Sequence, residues 1–239
     1  MTNNVNKLIA IVPTYNERQT IGTLVRAFFG ILPVASMLVV DDNSPDKTIE
    51  EVVNLKKEFP RLDFLLRQSD RGFGRSYIDA LKKLANDDRY NTIVMMDADF
   101  SHDPKYLPAM LENLLQHKVI IGSRYVKGGG ADGWGTKRVI LSRLASFYLR
   151  CILGINLKDV TSGFLVFNKS ILASLDLNSL KSVGTAILVE LKYKIFKAGY
   201  SIYEYPVVVV DRTQGQSKIS QKLIWESLWL PWKLKFPGS

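Results

Sequence analysis

Apolar runs of three to five residues recur through the first half of the chain, each followed by a polar turn and, in most cases, an amphipathic stretch. LIAIV (8–12), MLVV (37–40), FLL (64–66), TIVMM (92–96) and VII (119–121) read as strands. The stretches from Gln19 to Ile31 and from about 75 to 86 carry apolar positions at helical spacing, and Ser44-Pro45-Asp46 supplies a helix start. Strands this short and this uniformly apolar, alternating with helices, predict an α/β fold with a mostly parallel sheet covered on both faces. In open sheets of this kind, ligands bind beyond the carboxyl ends of the strands. PTYNE, DDNS, DADFS and GSRY each follow a strand, so four polar clusters converge on one edge.

The second half has a different grain. GGGADGW (128–134) reads as a flexible loop, and TKRVILSRLASFYLR as a helix with basic residues. DVTSGF (159–164) is a polar turn leading into the apolar LVF, a helix is expected near 184–198, and YEYPVVVV reads as a strand. DRTQGQSK and the tail ISQKLIWESLWLPWKLKFPGS follow. No repeat and no long linker divides the 239 residues, so a single domain is expected.

Composition narrows the chemistry. A chain that is 46% hydrophobic and 23% charged has material for a substantial core. One cysteine, Cys151, excludes an internal disulfide and fits a reducing compartment, and two histidines leave oxygen as the main ligand for any metal. The net charge of +9 points to a polyanionic partner, but the basic residues are spread without a recognition motif, which argues against nucleic acid. No apolar leader and no stretch of roughly 18 apolar residues appears, so a cytosolic protein is expected, at most peripheral on a membrane.

Asp97 and Asp99 close the TIVMM strand. If the strand persists, they share a face and repel unless a cation or proton sits between them. They are either turn acids or a divalent-cation site facing a diphosphate, with Ser101 adding an oxygen; Mg2+ and Mn2+ take such ligands. Asp41-Asp42 suggests a phosphoacceptor domain, but the first strand lacks paired acids and the chain is about twice the length such a domain needs. RGFG (71–74) has Tyr77 where a dinucleotide fingerprint needs glycine. Arg124, Arg138, Arg143, Arg212 and Lys218 are candidate phosphate ligands. Trp225, Trp229 and Trp232, interspersed with lysines, suit either a core-packing helix or an interfacial one.

VPTYNE, VVDDNSPD, MDADFSHDP, GSRY with a glycine-rich segment, W-x-x-x-R-x-x-x-S, DVTSGF and R-x-x-G-x-S-K span nearly the whole chain. Together they resemble family 2 glycosyltransferases of GT-A fold, and within these the dolichyl- or polyprenyl-phosphate mannose synthases. The resemblance implies a Rossmann-like GT-A domain over 1–239, with a nucleotide-sugar half (1–123), an acceptor half and mobile loop (124–218), and a membrane-interface tail (219–239). It implies that Pro13, Tyr15, Glu17, Val40 and Asp42 hold the donor nucleoside. Asp97, Ala98 and Asp99 would bind its ribose-diphosphate end, with Asp99 and Ser101 on Mg2+ or Mn2+. Arg212 and Lys218 would grip the diphosphate, joined on the donor side by Arg124. Arg124, Arg138 and Ser142 would receive the lipid phosphate.

The implied reaction is inverting transfer, most simply of mannose from GDP-mannose to a polyprenyl or dolichyl phosphate. Asp99, Arg212 and Lys218 are its expected catalytic groups, and a UDP-sugar donor or a saccharide or protein hydroxyl acceptor is the alternative. A phosphate monoester is largely dianionic at neutral pH, since its second pKa is about 6, and needs no general base. Asp159 is the best base for a hydroxyl acceptor. Relatives without membrane spans are expected on the cytosolic face of a membrane, directly or through an anchoring partner subunit.

Overall fold

The structure, a computed structural model, describes residues 5–211 and the backbone of 221–236, with side chains again from Leu228. The strands are β1 (Leu8–Thr14), β2 (Ser36–Asp41), β3 (Leu62–Leu66), β4 (Thr92–Met95), β5 (Val119–Ser123), β6 (Gly130–Asp132), β7 (Leu165–Asn168), β8 (Tyr203–Pro206) and β9 (Val208–Val210). The helices are α1 (Arg18–Ile31), α2 (Thr48–Glu58), α3 (Phe73–Ala85), α4 (Leu107–Asn113), α5 (Thr136–Leu153), α6 (Ala186–Lys197) and α7 (Gln221–Lys235).

Seven strands form one sheet in the order β3-β2-β1-β4-β7-β5-β8. All its pairings are parallel except those of β7, which runs against both β4 and β5. The uniform apolarity of the strands is explained by cover on both faces. Leu8, Ala10 and Val12 pack on one side with Leu24 and Phe28 of α1, while Ile9 and Ile11 pack on the other with Leu81 of α3 and Leu191 of α6. Every residue of β1 and β2 is buried.

The position of β7 governs the site. Because it is antiparallel, its leading loop, residues 159–164, lies at the same edge as the carboxyl ends of β4 and β5. DVTSGF therefore stands between the DAD turn and GSRY.

Several expectations change. GGGADGW is not wholly loop: it contains β6, which pairs in parallel with β9. YEYPVVVV is two strands, since the chain leaves the main sheet after Pro206 and pairs with β6 from Val208. Helix α2 starts at Thr48 rather than at Ser44-Pro45-Asp46, where Asp46 instead accepts the Thr48 N–H at 3.0 Å. Helix α4 was not foreseen, its seven residues being too short for a clear helical period.

Candidate active site

A cleft of about 280 Å³ opens beyond β1 and β2, lined by Pro13, Thr14, Tyr15, Glu17, Asp42, Arg71, Gly72, Phe73 and Ser76. Pro13, Tyr15, Glu17 and Asp42 are thus brought together. Val40 does not line it: its side chain is fully buried in the core. Asp42 is also anchored from within. Its carboxylate accepts from Arg67, from the Gly72 N–H at 2.8 Å and from Ser76 Oγ at 3.0 Å. Asp41, fully buried, accepts from Thr14 Oγ1 at 2.7 Å and Ser44 Oγ at 2.6 Å, tying the ends of β1 and β2 together.

Arg71, Gly72 and Phe73 belong to the RGFG segment, which lacks a phosphate fingerprint yet forms one wall of the cleft. Its glycines serve another purpose. A Cβ on Gly74 would collide with the carbonyl oxygens of Ser182 and Val183, so the 182–184 backbone crosses directly over α3's first turn. The Gly74 N–H donates to Val183 O at 2.6 Å, and the buried Glu190 accepts the Ser182 N–H at 3.0 Å from the far side.

The DAD segment departs from the expected geometry. Strand β4 ends at Met95, Ala98-Asp99 form a turn, and Phe100 adopts a left-handed φ of 65°. Asp97 and Asp99 are therefore not alternate residues on one strand face; they are displayed by a turn. Asp99 Oδ1 accepts the Ser101 N–H at 3.0 Å, and Ala98 is buried in the core. His102 folds back toward the turn, and its Nδ1 accepts the Asp97 N–H at 2.9 Å. Tyr77 lies below, donating to Met96 O at 3.3 Å; burial first, then the charges of Asp97 and Asp99, raise its hydroxyl well above the ordinary tyrosine value.

On the other side of β7, Arg124 directly follows β5. Its Nε and NH2 each donate to Asp159 at 2.7 Å, and NH2 also reaches Thr161 Oγ1 at 2.8 Å. Burial alone would raise the Asp159 carboxyl, but the Arg124 guanidinium outweighs it and holds it below the usual carboxylate range. Fully buried and paired in this way, Asp159 is unsuited to act as a general base. Beneath the pair, Lys192 of α6 is fully buried and donates to Ser162 O at 2.5 Å. Burial pushes its ammonium down to about 7, against the pull of Asp159.

Arg124 also lies 5.1 Å from the ring centres of both Tyr125 and Trp134. Arg138 caps Trp134 at 3.8 Å, and Arg143 lies 5.3 Å from Tyr125. Three guanidinium groups and two aromatic rings form one series, its cations held by ring quadrupoles. Half-exposed Arg138 pairs with Asp211 at 2.7 Å, and Ser142 lies one turn further along α5. Arg212 and Lys218 lie outside the described residues.

No group of three His, Cys, Asp or Glu side chains able to hold a metal occurs among the described residues. Asp99, with Asp97 and Ser101 beside it, offers hard oxygen donors but too few to complete a coordination sphere. Such a set fits Mg2+ or Mn2+ shared with substrate phosphates and does not fit a closed structural site.

Helices α5 and α7 form the outer flank. Tyr148 OH donates to Leu228 O at 2.7 Å and accepts from Trp232 Nε1 at 2.9 Å. Leu230 is buried against the core, while Leu141, Leu144 and Phe147 of α5 and Trp229 and Trp232 of α7 are exposed. The tail helix therefore has both a packed side and an open apolar side. No helix among the described residues is long and apolar enough to cross a membrane.

Comparison with known proteins agrees with this layout. The family model described as glycosyl transferase family 2 matches residues 9–176. An undecaprenyl-phosphate mannosyltransferase of Micrococcus luteus is 34% identical over 222 residues, covering 93% of this chain and 91% of that protein. A polyprenol monophosphomannose synthase of Mycolicibacterium smegmatis is 33% identical over 228 residues, covering 93% and 84%. Among solved structures, glucosyl-3-phosphoglycerate synthase of Mycobacterium tuberculosis, in complex with Mn2+, UDP-glucose and phosphoglyceric acid, superposes with a TM-score of 0.69 at 17% identity, covering 96% of this chain and 79% of that one. That likeness is one of fold.

Proposed function

The chain belongs to glycosyl transferase family 2 and is a glycosyltransferase; on that premise we propose that it transfers mannose, from GDP-mannose, to the phosphate of a polyprenyl phosphate with inversion at the anomeric carbon. The observation that carries the choice of acceptor is the Arg124–Asp159 pair. The carboxylate best placed to activate a hydroxyl is locked by an arginine, inside a series of three guanidinium groups. A phosphate acceptor brings its own negative charge and requires a positive pocket instead of a base.

In this reading the cleft of Tyr15, Glu17 and Asp42 takes the donor nucleoside, and the Asp97–Asp99 turn takes its ribose-diphosphate end. Asp99, with Ser101, would hold Mg2+ or Mn2+. When bound, the cation neutralises charge developing on the departing diphosphate. Arg212 and Lys218 add positive charge to that leaving group, the largest electrostatic demand of the step. Arg138 and Ser142 receive the acceptor phosphate, and Arg124 keeps the pocket positive while ordering the 159–161 turn. The exposed ridge of α5 and α7, bordered by Lys137, Arg143, Lys233 and Lys235, supports work at an anionic cytosolic membrane face, with or without an anchoring subunit.

A panel of radiolabelled nucleotide sugars, each with polyprenyl phosphate and Mn2+ or Mg2+, followed by organic extraction, tests the proposal. Label from GDP-mannose should enter the lipid phase, and Asp99→Ala should abolish it. Label entering the lipid phase from a UDP-sugar alone, or a saccharide or protein fraction instead, would overturn the assignment.

A further inference from the structure

His102 belongs to none of the donor, acceptor or metal groups assigned above, yet it is only 6% exposed and lies directly under the DAD turn. Its setting is unusually defined. Where β4 ends, Met96 is still tied on both sides: its N–H donates to Ile11 O at 3.2 Å and its carbonyl accepts from Tyr77. Asp97 is the next residue, beyond the end of β4. A backbone donor at such a position needs another acceptor. Nδ1 of His102 supplies it at 2.9 Å, closing a loop of five residues. An imidazole accepting at Nδ1 carries its proton on Nε2.

The ring is itself fixed by the segment that precedes β7. Phe164 stacks on it with centroids 5.1 Å apart and planes 13° from parallel. Gly163 leaves the room: a Cβ there would lie 3.0 Å from His102 Cε1 and 3.1 Å from Leu188 Cδ1. Ser162 Oγ donates to Gly122 O at 2.5 Å, pinning this segment to β5. DVTSGF thus reaches DADFSHDP through an imidazole.

We infer that His102 is a positioning residue for donor and metal binding, holding the Asp97–Asp99 turn through the Asp97 amide in a slot shaped by Gly163 and Phe164. This rests on the reading that the turn receives the nucleotide diphosphate and its cation. A turn held in place before ligands arrive binds them without first being ordered. Loss of a hydrogen-bonded supporting group behind metal ligands typically costs about 10- to 100-fold in metal affinity or activity.

Three variants separate this role from bulk packing. In His102→Asn the amide oxygen occupies the place of Nδ1; in His102→Leu the volume is kept and the acceptor is lost. Gly163→Ala crowds the ring without altering the DAD segment. Mn2+ binding followed by electron paramagnetic resonance, with the nucleoside diphosphate of the preferred donor present, is the primary readout, with thermal melting as a check on folding. KM values for nucleotide sugar and lipid phosphate are the second. His102→Leu should weaken Mn2+ binding and raise the donor KM by about 10- to 100-fold, leaving the lipid-phosphate KM within about twofold. His102→Asn should recover most of that loss, and Gly163→Ala should shift the same parameters in the same direction.

Folded His102→Leu with unchanged Mn2+ binding, equal impairment of the Asn and Leu variants, or matched rises in both KM values would each overturn the inference. If His102→Leu does not fold, Gly163→Ala and His102→Asn decide: an altered Mn2+ affinity in the former with near-normal affinity in the latter supports it, and any other pattern refutes it. Mn2+ binding and activity surviving in Asp99→Ala would instead remove the underlying reading of the turn, whatever the histidine variants do.

Discussion

Replacing Lys192 with methionine should change how stability depends on pH, by an amount that follows from burial. The ammonium is fully enclosed, and its pKa falls from 10.5 to about 7. Between those values the unfolded chain holds a proton that the folded chain has released, so stability rises with pH in that window. One full pH unit corresponds to about 1.4 kcal/mol. The folded group is half deprotonated near pH 7 and almost wholly so at pH 9, which makes the gain over that interval roughly 2 kcal/mol. Methionine keeps the aliphatic volume and removes the titration. It also leaves Ser162 O without its donor, a cost of about 1–3 kcal/mol that is nearly independent of pH. Asp159, whose carboxyl Lys192 helps to lower, stays ionised over this range in both proteins, so the difference between them isolates Lys192. Urea unfolding at pH 6, 7, 8 and 9 should show wild type gaining roughly 2 kcal/mol on Lys192→Met from pH 7 to 9. A flat difference across that range would refute the reasoning, because it would mean the buried ammonium keeps an ordinary pKa.

Asp159→Asn should be among the most damaging single substitutions, costing about 3–5 kcal/mol, because it strands the Arg124 guanidinium and the neighbouring ammonium without a counter-charge; a melting temperature within a few degrees of wild type would contradict this. Arg138→Ala should raise the KM for polyprenyl phosphate by about tenfold or more while changing that for nucleotide sugar little, if Arg138 receives the acceptor phosphate as proposed. Equal rises in both KM values would put Arg138 on the donor side.

The main frame of the fold is legible in the chain because it rests on local signals. Short uniform strands, helical periods and polar strand ends define β1 to β5 and the edge where Tyr15, Asp42, Asp97 and Arg124 gather. What the residues do not announce is pairing over distance. The splitting of YEYPVVVV depends on β6 lying alongside β9, and β6 is written in glycines that read as loop. The partnership of Arg124 with Asp159 spans 35 residues and requires β7 to run backwards. His102 was readable as a residue but not as a support, because its role depends on the chain turning at Phe100 rather than continuing as a strand. The structural part played by RGFG is hidden for a related reason. Its glycines answer to a backbone crossing from residues 182–184, more than a hundred positions later.

The reversed strand also has a consequence for how the protein is made. β5 joins the sheet only through β7 and β8, and β4 keeps an open apolar edge until β7 pairs with it. The first 123 residues, although they carry the whole lining of the Tyr15–Asp42 cleft, therefore leave β5 unpaired and the imidazole under Asp97 without its stacking partner. On a ribosome, the Asp97–Asp99 turn cannot reach its final support until the chain beyond residue 168 has emerged. Residues 1–123 are accordingly no closed structural unit: their sheet is completed by β7 and β8 from the second half of the chain.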